Sequence, residues 1–411
     1  MDAREIRRMK PELSRYLNRF ADCFARKDTR AHLPVYVEGQ LSDLPRKSAE
    51  PIALAAGVPV RTLQEFLSQL RWDEDAVRTR LQNLVASEHA SPHSIGIIDE
   101  TSDVKKGTKT PGVQRQWCGC SGKTENCIVT VHLAYAVDDF HCLLDGELFL
   151  PESWSEDRPR CQEAGIPDEL VYRPKWEIAL EQYDRAITNG IEFDWLTFDE
   201  GYGSKGPFLK SLSERSQKYV AEVSVSMTGW LTPPKVTSQR SQRRGRPARV
   251  PRLTKDSSRP QRIDELLIQH PMLRDQAWKK YRIKDGAKGP MVWEVKHAML
   301  IRPTKQGLPD EQVHLLVARN VLDETEVKFF LSNAPEKTPV TTLLMVAFSR
   351  WRVERCFQDQ KQDIGLDAWE GRRYLGLKRH LILSSISYLF LVRMRTKLRE
   401  KKSRTDDLSV A

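Results

Sequence analysis

Two Asp residues close short apolar runs of β-like composition, Ser94–Asp99 (S-I-G-I-I-D) and Trp195–Asp199 (W-L-T-F-D). Far downstream a basic helix centred on Glu354 begins near Phe348 (F-S-R-W-R-V-E-R-C-F-Q-D-Q-K). An Asp at a strand end projects from a rigid element and is seldom needed for packing. Asp99, Asp199 and Glu354 therefore offer three carboxylates from distant parts of the sequence. Three such groups can hold two divalent cations, and two cations about 4 Å apart suit in-line attack on a phosphodiester.

The charge balance agrees with that reading. The chain has 411 residues and a formal net charge of +10, enough for two or three domains with a large core and a preference for anionic partners. Nucleic acid and an anionic membrane surface both fit. No apolar run reaches the ~20 residues that span a bilayer. The start, M-D-A-R-E-I-R-R-M-K, lacks the apolar centre of a signal peptide. The expectation is a soluble, cytoplasmic protein with no membrane partner. Seven Cys at irregular spacing argue against a disulfide framework and for a reducing compartment. Cys118 and Cys120 form C-G-C, with Cys127 and His132 nearby. This group suits either a zinc site or small thiols in and beside a β-hairpin, and no second ligand pair of standard spacing accompanies it.

Residues 1–90 read as helical, because apolar residues recur at three- and four-residue intervals over Met9–Arg26 and Asp73–Ser87. Within 49–70, Ala53, Gly57, Leu63 and Phe66 stand where a helix-turn-helix needs a small residue, a turn glycine and two core apolars. Val60–Leu70 would then present Arg61, Thr62 and Gln64 to a DNA groove, although an ordinary helical hairpin fits the same spacing. Residues 91–226 read as strand, strand, strand, helix, strand, helix, strand, the order of a ribonuclease-H-like core. Residues 227–335 interrupt it with a basic arm and a β-rich insertion. Between Lys235 and Arg262 there are ten Lys or Arg and one acid. Inside this stretch R-G-R-P, with Arg244 and Arg246, resembles the core of an AT-hook, which lays two Arg along a narrow minor groove; a solvated basic loop is the alternative. Residues 336–395 read as helices completing the core, over Pro339–Lys361 and Arg379–Met394. Residues 396–411 read as a basic, disordered tail. Arg350, Glu354 and Lys361, four and seven residues apart, fall on one face of an ideal helix, with Trp351 beside it.

Three blocks carry a family resemblance. I-D-E-T-S-D-V-K-K-G-T-K-T-P-G-V-Q-R-Q-W-C-G-C-S-G-K-T-E-N-C at residues 98–127 resembles the first catalytic block of bacterial DDE insertion-sequence transposases, most like the insertion sequence 701 family. Phe198-Asp199-Glu200-Gly201-Tyr202-Gly203 is similar to the second block, and R-W-R-V-E-R-C-F-Q-D-Q-K at Arg350–Lys361 to the third. The resemblance runs from about Pro34 to Tyr388, with the blocks in the right order. One departure concerns a Tyr that related cut-and-paste transposases place seven residues before the Glu; here that position is Ala347, with Phe348 next to it.

The resemblance implies an α/β, ribonuclease-H-like catalytic core with a β-rich insertion before the last catalytic helix and an N-terminal all-helical DNA-binding domain. It implies cleavage at transposon ends and strand transfer into target DNA with two Mg²⁺ ions, Mn²⁺ substituting. Asp99, Asp199 and Glu354 would be the metal ligands. Arg350 and Lys361 would face transposon-end phosphates, with Trp351 as the aromatic near the site and Lys105 and Lys106 as further DNA contacts. Oxygen ligands suit Mg²⁺ because it is a hard cation. The DNA partners would be double-stranded terminal inverted repeats and target DNA, with the protein a homodimer when DNA-bound and nucleoid-associated. Some relatives close a hairpin on the transposon end, which needs a flipped base and an aromatic to hold it; Trp230, Trp293 and Trp351 are the candidates. Two other classes share these features: a catalytically silent DNA-binding regulator, and a nuclease that cuts without joining.

Overall fold

The computed structural model describes residues 3–238, 250–286 and 289–409. They form two compact units, Met1–Phe193 with Trp351–Ala411, and Asp194–Arg350.

The first unit opens with five helices: α1 (Ala3–Asn18), α2 (Lys27–Leu41), α3 (Ala49–Ala55), α4 (Val60–Ser68) and α5 (Glu74–His89). Gly57, with φ 66°, lies in the turn between α3 and α4. It adopts the left-handed conformation that a side chain resists. Ala53, Leu63 and Phe66 are buried, as both a helix-turn-helix and an ordinary helical hairpin require. Asp73 caps α5 by accepting from Ala76 N at 2.8 Å.

Four strands follow: β1 (Ile95–Val104), β2 (Gln114–Cys118), β3 (Lys123–Val137) and β4 (Phe140–Leu148). All pairings are antiparallel. β3 is central, with β1 on one edge and β2 and then β4 along the other. Three helices come next, α6 (Glu152–Ser155), α7 (Arg158–Ala164) and α8 (Lys175–Thr188). Helices Trp351–Asp359 and Tyr374–Ser409 return to the same unit. The helical residues 1–90, expected as a domain of their own, are thus part of a body that also holds the first sheet and the last helix.

The reason lies in helix Tyr374–Ser409. Its stretch Tyr374–Arg399 is long and apolar enough to cross a membrane, yet 83% of its apolar window is buried inside the protein. Leu381, Ile382, Ile386, Leu389 and Phe390 are all core residues. The helix also presents polar groups that no lipid would satisfy. Tyr36 Oη meets His380 Nδ1 at 2.8 Å, Gln40 Nε2 donates to Ser384 Oγ at 2.9 Å, and Ser387 Oγ donates to Gln40 Oε1 at 2.8 Å. Arg379 is buried and donates to the carbonyls of Phe66, Leu67, Leu70 and Trp72 and to Glu74. The helix continues to Ser409, so the tail expected to be disordered from residue 396 is helical over most of its length.

In the second unit, β5 (Trp195–Phe198) runs into the short α9 (Glu200–Gly203) and then α10 (Gly206–Glu214). β6 (Tyr219–Val223) returns parallel to β5. Strands Lys279–Gly286, Gly289–Pro303, Pro309–Asn320 and Val327–Ser332 form an antiparallel meander whose last strand pairs with β6. The insertion therefore extends a sheet begun by β5 and β6, because the β6 edge is left open for Val327–Ser332 to zip onto. Arg244 and Arg246 lie outside the described residues.

Replacing Arg379 with Met is expected to lower the unfolding free energy by about 3–5 kcal/mol, because the change leaves several buried carbonyls without their donor and Glu74 with Lys378 alone. Urea denaturation of the two proteins measures the difference.

Candidate functional site

Side chains alternate across a strand, so neighbours in sequence face opposite sides of a sheet. That rule separates Asp99 from Glu100. Glu100 accepts from Lys175 Nζ at 2.5 Å, so it faces α8. Asp99 therefore takes the other face. It pairs in register with His132 of β3, which in turn pairs with Gly146 of β4. Directly opposed residues share a face. A Cβ on Gly146 would come within 2.6 Å of the His132 ring, so glycine is required there. Phe357 packs edge-on against His132 at 5.2 Å between centroids. Helix Trp351–Asp359 thus covers the Asp99 face of the sheet. Glu354 lies three residues before Phe357, one turn back on the same side of the helix. Glu354 is exposed on the helix that covers the Asp99 face, and the whole second unit separates the two acids in sequence. His132 is fully buried, and that burial pushes its pKa down to about 3, so it stays neutral.

Asp99 was expected to close its strand. It instead sits in the middle of β1, which runs on to Val104. The polar run after Asp99 hid the extension, since Glu100, Thr101, Ser102 and Asp103 remain paired with β3. Asp199, in the second unit, does follow its strand directly, at the N-cap of α9. Its carboxylate accepts from Tyr202 N at 3.4 Å, a long bond. Gly203 allows the close turn there, because a Cβ would lie 1.9 Å from Glu222 O.

The single helix expected over Pro339–Lys361 is two helices, Val340–Phe348 and Trp351–Asp359, parted at Ser349 and Arg350. A π-helical turn, Gln360–Ile364, follows. Arg350 therefore stands outside the helix that carries Glu354, and the wider turn shifts Lys361 off the line of an unbroken α-helix. The three residues expected on one helix face thus belong to three successive segments, the turn at Ser349–Arg350, helix Trp351–Asp359 and the π-helical turn. Lys361 Nζ donates to Ser102 O at 2.9 Å and so anchors the π-turn to β1.

Among the proposed base-holding aromatics, Trp230 and Trp293 are buried, at 3% and 5% exposure, while Trp351 is 41% exposed. Trp230 spends its indole N–H on Ser258 O, and Trp293 packs against Phe348. Of the three, Trp351 is the most exposed. Trp117, 61% exposed on β2, was passed over, though the alternation in Q-R-Q-W-C places it with Arg115 on the outer side. Arg61 and Gln64 are exposed on α4, with Arg61 paired to Glu65. Lys105 ion-pairs with Asp103, and Lys106 is exposed.

All seven cysteines are free thiols. Cys118 and Cys120 bring their sulfurs within 3.2 Å, and Cys118 and Cys127 pack with Val129 and Phe149. Among the described residues, no group of three or more His, Cys, Asp or Glu is arranged to hold a metal. For the acids, donor chemistry is the relevant fit: Asp99 and Glu354 supply oxygen ligands, as a hard divalent cation prefers.

β1 carries Asp99, the N-cap of α9 carries Asp199, and helix Trp351–Asp359 carries Glu354. The sequence matches the DDE superfamily endonuclease family over residues 19–290, well over half the chain, and the chain belongs to that family. The matched stretch contains Asp99 and Asp199 and ends before Glu354. The chain is also 35% identical over 189 residues to a protein of Microchaete diplosiphon named "Probable transposase for insertion sequence element IS701". That alignment spans 45% of this chain and 46% of the relative, so it reaches just under half of either protein.

Asp103 shares the Asp99 face, and burial raises its pKa from 3.8 to about 6 against the opposing pull of Lys105. Because the folded value lies above the unfolded one, its contribution to stability is full below about pH 4 and fades as pH rises through about 6. Asp103→Asn is expected to remove about 1–3 kcal/mol of that pH dependence. Urea unfolding at intervals from pH 4 to 7 tests it.

Proposed function

We propose that this chain is a DNA transposase that binds transposon ends, cleaves them and transfers the freed strand to target DNA. The observation that carries the reading is the match to the DDE endonuclease family, supported by a helix bearing Glu354 that packs through Phe357 over the sheet face of Asp99. Asp99, Asp199 and Glu354 are the proposed metal-holding acids on a ribonuclease-H-like core. When bound, Mg²⁺ or Mn²⁺, two ions to a site, supplies the Lewis acidity for phosphodiester cleavage and joining.

The chain's own residues have four tasks. The carboxylates hold the cations. Buried, neutral His132 and the Phe357 ring exclude water from the floor beneath Asp99. Exposed Trp351 stacks on a base next to the cut, in keeping with a hairpin intermediate. Arg350 contacts backbone phosphates, with Lys105, Lys106 and the arm bearing Arg244 and Arg246 as further contacts, while Arg61 and Gln64 of α4 read the terminal repeat. In cleavage, water adds to phosphorus and the bond to the 3′ oxygen breaks, leaving a 3′-OH. That hydroxyl then attacks the target strand at the same site. Two ends must be held together, so the protein acts as a dimer on DNA, in the cytoplasm at the nucleoid.

The test uses the DNA that flanks the gene at its native locus, with the wild type run beside Asp99→Ala, Asp199→Ala and Glu354→Ala. The wild type is expected to cut and join with Mg²⁺. Each variant should retain DNA binding and lose both reactions. A wild type that binds those ends yet never cuts with Mg²⁺ or Mn²⁺ would overturn the proposal in favour of a silent regulator. Gel-shift competition on the same ends tests α4. Arg61→Ala and Gln64→Ala should each reduce discrimination against unrelated DNA by about 1–3 kcal/mol, with little change in non-specific binding.

A further inference from the structure

Beside the acids, the first unit contains a cleft of about 920 Å³ walled by residues 44–48, 103–110 and 361–372. Asp103 lines it and lies four residues from Asp99 on the same side of β1, about 13 Å along the strand. The cleft thus continues the sheet face that carries Asp99.

Its cations fall into two groups. Lys47, Lys105, Lys109 and Lys361 are committed to the protein: Lys47 to Gln40 O and Asp363 O, Lys105 to Asp103 and Trp369 O, Lys109 to Glu163, and Lys361 to Ser102 O. These bonds build the walls. Arg46, Lys106 and Arg372 also line the cleft, are exposed, and make no hydrogen bond or ion pair among the described residues. They come from three separate segments and surround one concavity.

A second observation points to a ligand. Trp369 lines the cleft and is 7% exposed, yet its indole N–H has no hydrogen-bond acceptor. Buried N–H groups are almost always paired. The ring cannot simply swing away, because it is wedged against Gly371 and Gly376, where a Cβ would approach it to 2.1 and 2.4 Å. A fixed neutral donor among three uncommitted cations suits an anionic oxygen. A ring so enclosed offers no face for base stacking.

We propose that this cleft holds the DNA sugar-phosphate backbone beside the cleavage site, with Arg46, Lys106 and Arg372 contacting phosphates and Trp369 Nε1 donating to one of their oxygens. The proposal rests on the transposase reading and adds the path of the strand away from the acids. Recognition there is independent of base sequence, since every contributing group addresses phosphate.

The experiment measures the salt dependence of DNA binding by the full chain without divalent metal. The wild type is compared with the triple variant Arg46→Gln/Lys106→Gln/Arg372→Gln, whose changes are all at exposed positions. Loss of three phosphate contacts should reduce the slope of log K against log salt by about 2 to 3, at 0.9 per contact on duplex and 0.7 on single strands. Trp369→Phe keeps an aromatic ring and removes the donor. It should weaken binding roughly tenfold with the slope unchanged, because the lost donor is uncharged. An unchanged slope in the triple variant overturns the backbone path and leaves the transposase reading standing. A wild type with no affinity for any DNA overturns both.

Discussion

The Arg379 guanidinium is the contact on which the first unit depends. Helix α4 ends beside it, and a helix end leaves carbonyls without partners. Arg379 takes up those of Phe66 and Leu67 and goes on to Leu70 and Trp72, while its plane stacks 4.3 Å from the Trp72 ring. A planar cation with five donors can serve that many acceptors; a lysine cannot. Glu74, at the start of α5, balances the charge. One side chain thereby fixes the end of α4, the start of α5 and the long last helix together. His380 extends the arrangement by bridging Tyr36 to Leu366 O, which positions the segment leading out of the π-turn.

The same economy of position governs the acids. β1 presents two carboxylates in succession, and pleating sends them to opposite faces. Glu100 binds Lys175 and supports α8. Asp99 faces the helix that carries Glu354. A shift of one residue in the pairing of β1 with β3 would exchange their places. On the face that Glu100 shares, the buried Asp145 of β4 is held between Arg78 and Arg185, tying that strand to α5 and α8.

Much of this was legible in the sequence. Strands β1, β3, β4, β5 and β6, helices α8 and α10 and the β-rich insertion rest on local periodicity, which survives into the fold, whereas β2 (Gln114–Cys118) and the short α6, α7 and α9 are absent from the order expected for residues 91–226. The apolar runs S-I-G-I-I-D and W-L-T-F-D located both acids. What was hidden depended on partners far away. The polar half of β1 reads as a loop, and only pairing with β3 makes it strand. The break at Ser349–Arg350 and the π-turn at Gln360–Ile364 leave no mark in a helix-periodic stretch, so a common face for Arg350, Glu354 and Lys361 looked sound. The burial of Trp230 and Trp293 is likewise a matter of tertiary packing. The expectation that residues 1–90 stand alone failed because the apolar stripes of α2 and α4 close against a helix some three hundred residues later.

That separation has a consequence for how the protein comes into being. Tyr36 and Phe66 are made early, but their partners His380 and Arg379 are 344 and 313 positions further along. During synthesis the first helices and the sheet bearing Asp99 must wait, with apolar faces open, until the last helix leaves the ribosome. Contacts this distant in sequence form slowly and leave intermediates prone to association. The second unit, whose residues are continuous, has no such delay. It can fold on the nascent chain while the flanking segments are still unpaired. The helix Trp351–Asp359 that covers the Asp99 face is itself made late, so a shortened product ending anywhere before that helix leaves that face of the sheet uncovered.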